Sequence, residues 1–421
     1  MGNQKDNRHI YLSKRSLLKE EYNSGRLSEL YSSHVDQHQI SVIIPIKNEF
    51  PDFFNTLESL NQSWLSFCET SFCEKSACEQ VTCKKEKILV ILVVNALKDD
   101  SEAVIKNNEK LLLALEEAKY QEKFKGLDFF VVNLNPPKGF LPEKQGVGYA
   151  RKLGMDYAIF FDCKILACLD GDTLVQKNYV ESLYQFLDDV EKTGELFAVT
   201  DFFHQKAENQ FLQKAIDSYE EFLKYHSKKL EECGTPFYPV ALGPTLISSN
   251  YAYCAVNGMN QKVAGEDFYF LQSLIKLKIA EGKSLKTKML PTAVFPSSRI
   301  SNRVLFGTGS RIKELVEEAK NQVADSNIQE EVLEKIAYPF YDEWIYEELK
   351  KFITSKNQNA TKLKDFLIDE KFLENYEKIQ KNYGKSPKRL EAAFHTWFDG
   401  LKIIRGIHFL EKEVFVYTPF C

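Results

Sequence analysis

The chain reads as an α/β protein, a mostly parallel β-sheet flanked by helices, followed by a helical C-terminal region. Three observations predict it. Strand-like runs alternate with stretches of helical periodicity from Ser41 to Thr200, the spacing of crossover units in a parallel sheet. Several of those runs are apolar with little alternation, as strands covered on both faces are. From Arg311 to near Leu410 the pattern turns helical, with stripes such as Ile312, Leu315, Val316 and Ala319.

Residues 1–39 are polar, with a weak apolar stripe (Leu17, Leu18, Tyr22, Leu27, Leu30, Tyr31), and form a partly helical N-terminal extension. The first strand is Ser41–Ile46. It ends at Lys47-Asn48-Glu49, and Pro51 opens a helix at a favoured first-turn position, with Phe53, Leu57 and Leu60 on one face. Residues 64–86 read as a cysteine-bearing loop insertion. Ile88–Val94 is the second strand, closing on Asn95. The polar Lys98-Asp99-Asp100 precedes a helix from Glu102 to Lys119. Phe129–Leu134 is the third strand, and a Pro/Lys/Gly loop, 135–145, leads to a helix from Gly146 to Phe161. Ile165–Leu169 is the fourth strand, followed by a helix at 176–191 and a strand at Phe197–Thr200. Then come a long amphipathic helix (Phe211–Glu232), a mixed segment (Pro239–Ser249), a helix from Gly265 to Leu277, a strand-like run (Leu285–Val294) and a basic loop (296–310). The expected layout is an extension (1–39), a main domain (40–310) and a helical tail (311–421).

At 421 residues the chain is long enough for a large core and two domains. Its net charge of -5 gives no electrostatic case for nucleic acid as a partner. No apolar run has the length to span a bilayer, and Met1–Arg15 lacks a signal-peptide core. The expectation is a cytoplasmic protein without a transmembrane segment. Peripheral membrane contact through the N-terminal basic residues stays open, with a solvated tail the favoured reading. Nine cysteines, an odd number without an export signal, indicate thiols rather than a disulfide framework. Cys68, Cys73, Cys78 and Cys83 recur every five residues. Four thiols could hold zinc, but structural zinc sites use close pairs, and free thiols on an insertion are favoured.

The chemistry is expected where the strands end. Leu169-Asp170-Gly171-Asp172 closes an apolar strand with two carboxylates. Ligands of open α/β sheets sit at such ends, and a divalent cation with oxygen ligands would neutralise the pair. Pro45–Glu49, Asn95 and the Gly146–Arg151 segment fall at the ends of neighbouring strands, so they converge on one edge. Gly146–Arg151 opens a helix, where free N–H groups favour an anion, and Lys144 and Arg151 add positive charge. Glu266 and Asp267 open a later helix. They are either a favourable dipole pairing or a general base. Arg299 and Arg303 flank Ser301 and Asn302 in a loop with glycines, and are either a clamp for phosphate or carboxylate or ordinary solvated cations.

Taken together, Ser-Val-Ile-Ile-Pro-Ile-Lys-Asn-Glu (41–49), Gly-Val-Gly-Tyr-Ala-Arg-Lys-Leu-Gly-Met-Asp (146–156), Leu-Asp-Gly-Asp (169–172) and Gly-Glu-Asp-Phe-Tyr-Phe (265–270) make residues 40–310 resemble a family 2 glycosyltransferase with the GT-A, Rossmann-like fold. The block 296–309 also resembles one found in uncharacterised bacterial members. The resemblance implies a hexosyltransferase-type enzyme that takes sugar from a nucleotide-sugar donor to an acceptor hydroxyl with inversion. It implies that Pro45, Asn48 and Glu49 line the nucleotide pocket and that Asp170 and Asp172 hold manganese or magnesium on the diphosphate. Arg151 would approach the nucleotide or diphosphate, and Asp267 would be the base. Asn95 stands where the family often has a base-gripping aspartate. The late histidine that many GT-A enzymes give to the metal has no counterpart between His226 and His395.

Two other classes stay open. A sugar nucleotidyltransferase usually has a glycine-rich basic loop after its first strand, where this chain has Lys47-Asn48-Glu49. A non-catalytic sugar-nucleotide-binding protein would keep the donor residues without turnover. A thiol-based metal-binding role for the cysteine segment is a third possibility.

Overall fold

The computed structural model describes residues 2–27, 38–73, 86–117, 123–261, 265–299, 308–321 and 329–417. The chain forms two compact units. The first contains Met1–Gln205, Ala241–Leu274 and Lys288–Ser297; the second contains Lys206–Val240, Ile275–Thr287 and Ser298–Cys421.

The first unit is built on one eight-stranded sheet: β1 (Ile40–Ile46), β2 (Ile88–Asn95), β3 (Leu127–Leu134), β4 (Ile165–Cys168), β5 (Leu174–Val175), β6 (Phe197–Phe202), β7 (Leu246–Ser249) and β8 (Lys288–Phe295). The spatial order is β3-β2-β1-β4-β7-β6-β8-β5. β3, β2, β1 and β4 are mutually parallel, with Pro45 opposite Val93 and Ile43 opposite Cys168. β7 runs antiparallel to both β4 and β6; β6 pairs parallel with β8, and β5 antiparallel with β8. The sheet is therefore mixed, and its parallel half is the one the alternating pattern predicts. The short strands β5 and β7 escape that pattern because two to four residues carry no periodicity.

Every residue of β1 and β2 is buried. At roughly 1.5–3 kcal/mol per buried Val, Ile or Leu side chain, these two strands anchor the core. The helix Val147–Phe160 lies on β1 and β2. Its Gly154 makes the approach close: a Cβ there would stand 2.6 Å from Ile43 Cγ2 and 3.1 Å from Val93 Cγ2.

Two expectations change. The segment from Trp64 is not a loop at its start, because the helix that opens at Phe53 runs to Cys73. The Trp64 indole covers Gly126, leaving no room for a side chain there. Cys68 is half-buried; Cys78 and Cys83 lie outside the described residues. The N-terminal residues are not a solvated tail either. The helix Gly2–Lys14 buries Tyr11 and Leu12, each 1% exposed. Arg8 donates from Nε to Ile159 O and from Nη2 to Phe160 O, both at 2.8 Å, and so caps the C-terminus of Val147–Phe160.

The second unit is helical. Gln210–Glu232 is capped by Asn209, whose side chain accepts from Phe211 N and Leu212 N. Its Leu212, Ala215 and Ile216 form one core with Ile312, Leu315, Val316, Ala319, Val332 and Ile336. This packing draws the 210–232 helix to the tail, so the compact unit is not the contiguous stretch 311–421. Among the described residues five further α-helices follow, from Glu343–Ser355 to Gly400–Tyr417. Among the described residues no helix is long and apolar enough to cross a membrane.

Candidate functional site

The order of β3, β2, β1 and β4 reverses direction between β1 and β4, and a crevice opens outside the carboxyl ends of strands at such a point. Pro45–Glu49 follow β1 and Asp170–Asp172 follow β4. Pro45 fits there. Ile43 O accepts from Leu169 N at 3.0 Å, and Pro45, two residues on, faces the same side beyond the last β1–β4 pairing, where no ladder bond needs its missing N–H. Gly171 lets the two ends close up, since a Cβ on it would lie 3.1 Å from Glu49 Cγ. Glu49 is itself buried, 6% exposed.

The acidic loop is fixed by its backbone. Thr56 Oγ1 donates to Gly171 O at 3.0 Å, and Gln205 Nε2 donates to Asp172 O at 2.7 Å. The Asp170 and Asp172 side chains are half-buried. Nothing in the local sequence marks Thr56 or Gln205 as their supports, because both reach the loop only through the fold.

The centre of the site is Arg151, 2% exposed. Its Nη1 donates to Glu266 Oε1 at 2.5 Å and its Nη2 to Asp170 Oδ1 at 2.5 Å. Burial alone would lower its pKa, but the Asp170 and Glu266 carboxylates hold the guanidinium charged, above its ordinary value. The cation that Asp170 lacks in the local sequence is thus supplied from the neighbouring helix. Gly243, in the turn Gly243–Thr245, covers the guanidinium closely: a Cβ would be 2.5 Å from Nη2 and 2.8 Å from Cζ. Neither the bridge nor Gly243 has a signal in the sequence.

Glu266 and Asp267 occupy the first turn of Glu266–Ala280, where the helix dipole favours negative charge. Glu266 is buried and Asp267 half-buried. Burial pushes both carboxyls above their ordinary range while Arg151 pulls them back; Asp170 adds to the rise at Asp267. Asp267 Oδ1 accepts from Phe268 N at 2.7 Å.

The remaining expected residues divide. Asn48 sits at φ 58, and its N–H donates to Asn108 Oδ1 at 2.9 Å. Asn108 Nδ2 in turn donates to Asn95 O at 2.9 Å and Asn135 Oδ1 at 3.0 Å. Asn107 bonds both the N–H and the carbonyl of Phe50. These amides, of which Asn95, Asn108 and Asn135 are buried, tie the ends of β1, β2 and β3 together. Asn95 belongs to that scaffold: it is 4% exposed and its Nδ2 donates to Ile46 O and Val93 O. Its amide donors are therefore committed to the backbone. Lys144 is exposed at φ 60, three residues before the Val147–Phe160 helix. No side chain caps that helix start, which leaves the positive end of its dipole to meet an anion. Arg299 lies in the second unit, and Arg303 lies outside the described residues.

The late histidines are engaged within the second unit. His226 Nδ1 lies 2.8 Å from Tyr346 OH, His395 Nε2 3.1 Å from Glu391, and His408 Nε2 3.1 Å from Tyr341 OH. Among the described residues no group of three or more His, Cys, Asp or Glu is arranged to hold a metal ion.

No family model matches this chain. No curated protein matches it either. Among solved structures it is similar to S. aureus TarS 1-349, at 14% identity and a TM-score of 0.36, over 91% of this chain and 93% of that one. S. aureus TarS itself matches at 13% identity and a TM-score of 0.34, over 88% of this chain and 54% of that one. The 1-349 form in complex with UDP-GlcNAc matches at 12% identity and a TM-score of 0.36, over 85% and 90%.

Proposed function

We propose that the chain is a glycosyltransferase of the GT-A, family 2 type, a hexosyltransferase that moves sugar from a nucleotide-diphosphate donor to an acceptor hydroxyl with inversion. One observation carries the reading. Arg151 joins Asp170 of the Asp-Gly-Asp loop to Glu266 of the Gly-Glu-Asp helix start, so the motif suited to a diphosphate and the motif suited to a base meet at one sheet edge.

In this reading Asn48, Glu49 and the backbone after β1 border the nucleotide, and the uncapped start of Val147–Phe160 faces the diphosphate. Arg151 holds the two motifs in register. Asp267 accepts the proton from the acceptor hydroxyl; a carboxyl whose proton affinity is raised by burial is better matched to that task near neutral pH. Attack from the base side, opposite the leaving diphosphate, gives inversion.

The donor set suits a hard divalent cation. Asp170 and Asp172 offer oxygens from one loop, and carboxylates outnumber the single buried guanidinium. Magnesium and manganese accept one or two protein carboxylates and complete their shell with phosphate and water. Asp170 and Asp172 would hold such an ion, which would neutralise charge on the departing diphosphate. A cytoplasmic, bacterial enzyme acting on a hydroxyl acceptor is the setting we propose.

The test is a thermal-shift screen against UDP-, GDP-, ADP- and CDP-sugars, with and without manganese, on wild type and Asp172→Ala. A ligand that binds only the native state raises the melting temperature. A manganese-dependent shift with one nucleotide, absent in Asp172→Ala, supports the reading. No shift with any donor in a folded protein overturns it. Binding without turnover across acceptors would point to the non-catalytic alternative.

A further inference from the structure

The N-terminal segment and the helix that carries Arg151 share a buried polar cluster that the proposed chemistry does not use. Asp156, with no exposed surface, accepts at Oδ1 from Tyr11 OH at 2.6 Å and Tyr253 OH at 2.8 Å. Its Oδ2 accepts from Leu17 N at 2.7 Å. Lys152, 3% exposed, donates to Tyr11 OH at 2.5 Å and stands 3.4 Å from Asp156 Oδ1. Gly258, at φ +74, closes the cluster: a Cβ would run into Tyr11 Oη and lie 2.7 Å from Lys152 Nζ. Arg8 holds the far end of the same helix through Ile159 O, Phe160 O and Asp162.

From these contacts we infer that the N-terminal segment is a clamp on the site, and that Tyr11 is a positioning residue for Arg151. The inference rests on the functional reading above. The helix is a rigid rod, with Arg151 about 7.5 Å along its axis from Asp156 at 1.5 Å per residue. Its sheet side is held by the close approach at Gly154. Its outer side is held by Tyr11, Leu17 and Arg8. The hydrogen bonds from Arg151 to Asp170 and Glu266 are directional and tolerate little axial or rotational drift. Tyr11 and Tyr253 both donate to Asp156 Oδ1, and Tyr253 OH also stands 3.4 Å from Lys152 O; but only Tyr11 belongs to the N-terminal segment, and only its hydroxyl accepts from the ammonium of Lys152, the residue next to Arg151.

That difference sets the experiment. Tyr11→Phe and Tyr253→Phe each delete one hydroxyl that donates to the same oxygen and keep the ring. Both full-length variants are compared with wild type by amide hydrogen exchange across residues 151–155. They are also compared by affinity for UDP, GDP, ADP and CDP, each with manganese. The expected result is faster exchange at 151–155 in Tyr11→Phe, and roughly tenfold weaker binding of whichever nucleotide wild type prefers, a change of about 1.4 kcal/mol. Tyr253→Phe should change binding less than threefold. Equal effects of the two variants, or an unchanged Tyr11→Phe, overturn the clamp. If wild type binds none of the four nucleotides, the functional reading fails, and exchange at 151–155 alone decides the clamp. Should Tyr11→Phe not fold, Lys152→Met, which removes the other partner of the Tyr11 hydroxyl, is judged by the same two readouts.

Discussion

Arg151 Nη1 and Glu266 Oε1 are 2.5 Å apart and both buried, although 115 residues separate them in sequence. With Asp170 on the second nitrogen, the guanidinium ties a helix start to a strand end. Removing one partner of a buried pair leaves the other charge uncompensated, a loss of about 3–5 kcal/mol. Arg151→Ala should therefore lower stability by that order in urea unfolding. Arg151→Lys keeps the charge but cannot reach two carboxylates with a planar fork. It should fold better than Arg151→Ala and still lose most nucleotide binding; wild-type binding in Arg151→Lys would refute the bridge as an organiser.

Gly243 gives a gentler probe of the same bridge. A methyl group there would need to displace the guanidinium from 2.5 Å. Overpacking of this kind amounts to about 1–3 kcal/mol. Gly243→Ala should weaken nucleotide binding at least tenfold while the melting temperature falls by only a few degrees, measured by titration and calorimetry on the same sample.

Asn95 separates a scaffold role from a base-reading role. Its amide donates to Ile46 O and Val93 O. Asn95→Asp would set a buried carboxylate against two carbonyl oxygens, with unmade hydrogen bonds of about 1–3 kcal/mol each. The variant should be destabilised with its nucleotide preference unchanged. A switch in preference without loss of stability would place Asn95 in the pocket instead. Asn108→Ala, which strips the bonds to Asn48 N, Asn95 O and Asn135, should be destabilised by a similar or larger amount.

The second unit carries a pH dependence. Burial, and then the charge of His408, pushes the His226 imidazole down to about 4, so the folded state keeps it neutral. Between the ordinary value near 6.5 and that lower value the unfolded chain binds the proton more readily. Stability is thus complete above about pH 6.5 and declines as pH falls toward 4, by at most about 3 kcal/mol. Urea midpoints measured from pH 7.5 to 4.5 should show this slope, and His226→Gln should flatten it.

For the proposed base, the acid limb of the rate profile should lie above the ordinary aspartate range, because Asp267 must be ionised and its pKa is raised by burial. Asp267→Asn should lower kcat by about 10²- to 10⁴-fold, abolish that limb and leave donor affinity within a few fold. Equal loss of donor affinity would assign Asp267 to binding.

The outline of the first unit was open to reading from the chain itself. The runs Ser41–Ile46, Ile88–Val94 and Ile165–Leu169 show little alternation, and the first two are rich in β-branched residues, the pattern of strands covered on both faces. Asp170-Gly171-Asp172 and Gly265-Glu266-Asp267 announce themselves because acidic pairs beside a glycine interrupt apolar runs. The 64–73 stretch misled because its polar and thiol residues mask a helix that Phe53, Leu57 and Leu60 begin. The N-terminal helix misled because its burial rests on a few residues, Tyr11 and Leu12 foremost, among many charges.

Local sequence therefore determined which segments become buried strands and which carry carboxylates, since periodicity and β-branching act over a handful of neighbours. Tertiary structure alone decided that Arg151, rather than a group adjacent in sequence, faces Asp170 and Glu266. It also decided that Asn95 serves the scaffold and that Tyr11 reaches the helix bearing Arg151. Each of those facts depends on a distance set by how sheet and helices pack, and a buried hydrogen bond between residues a hundred positions apart leaves no periodic trace in either segment.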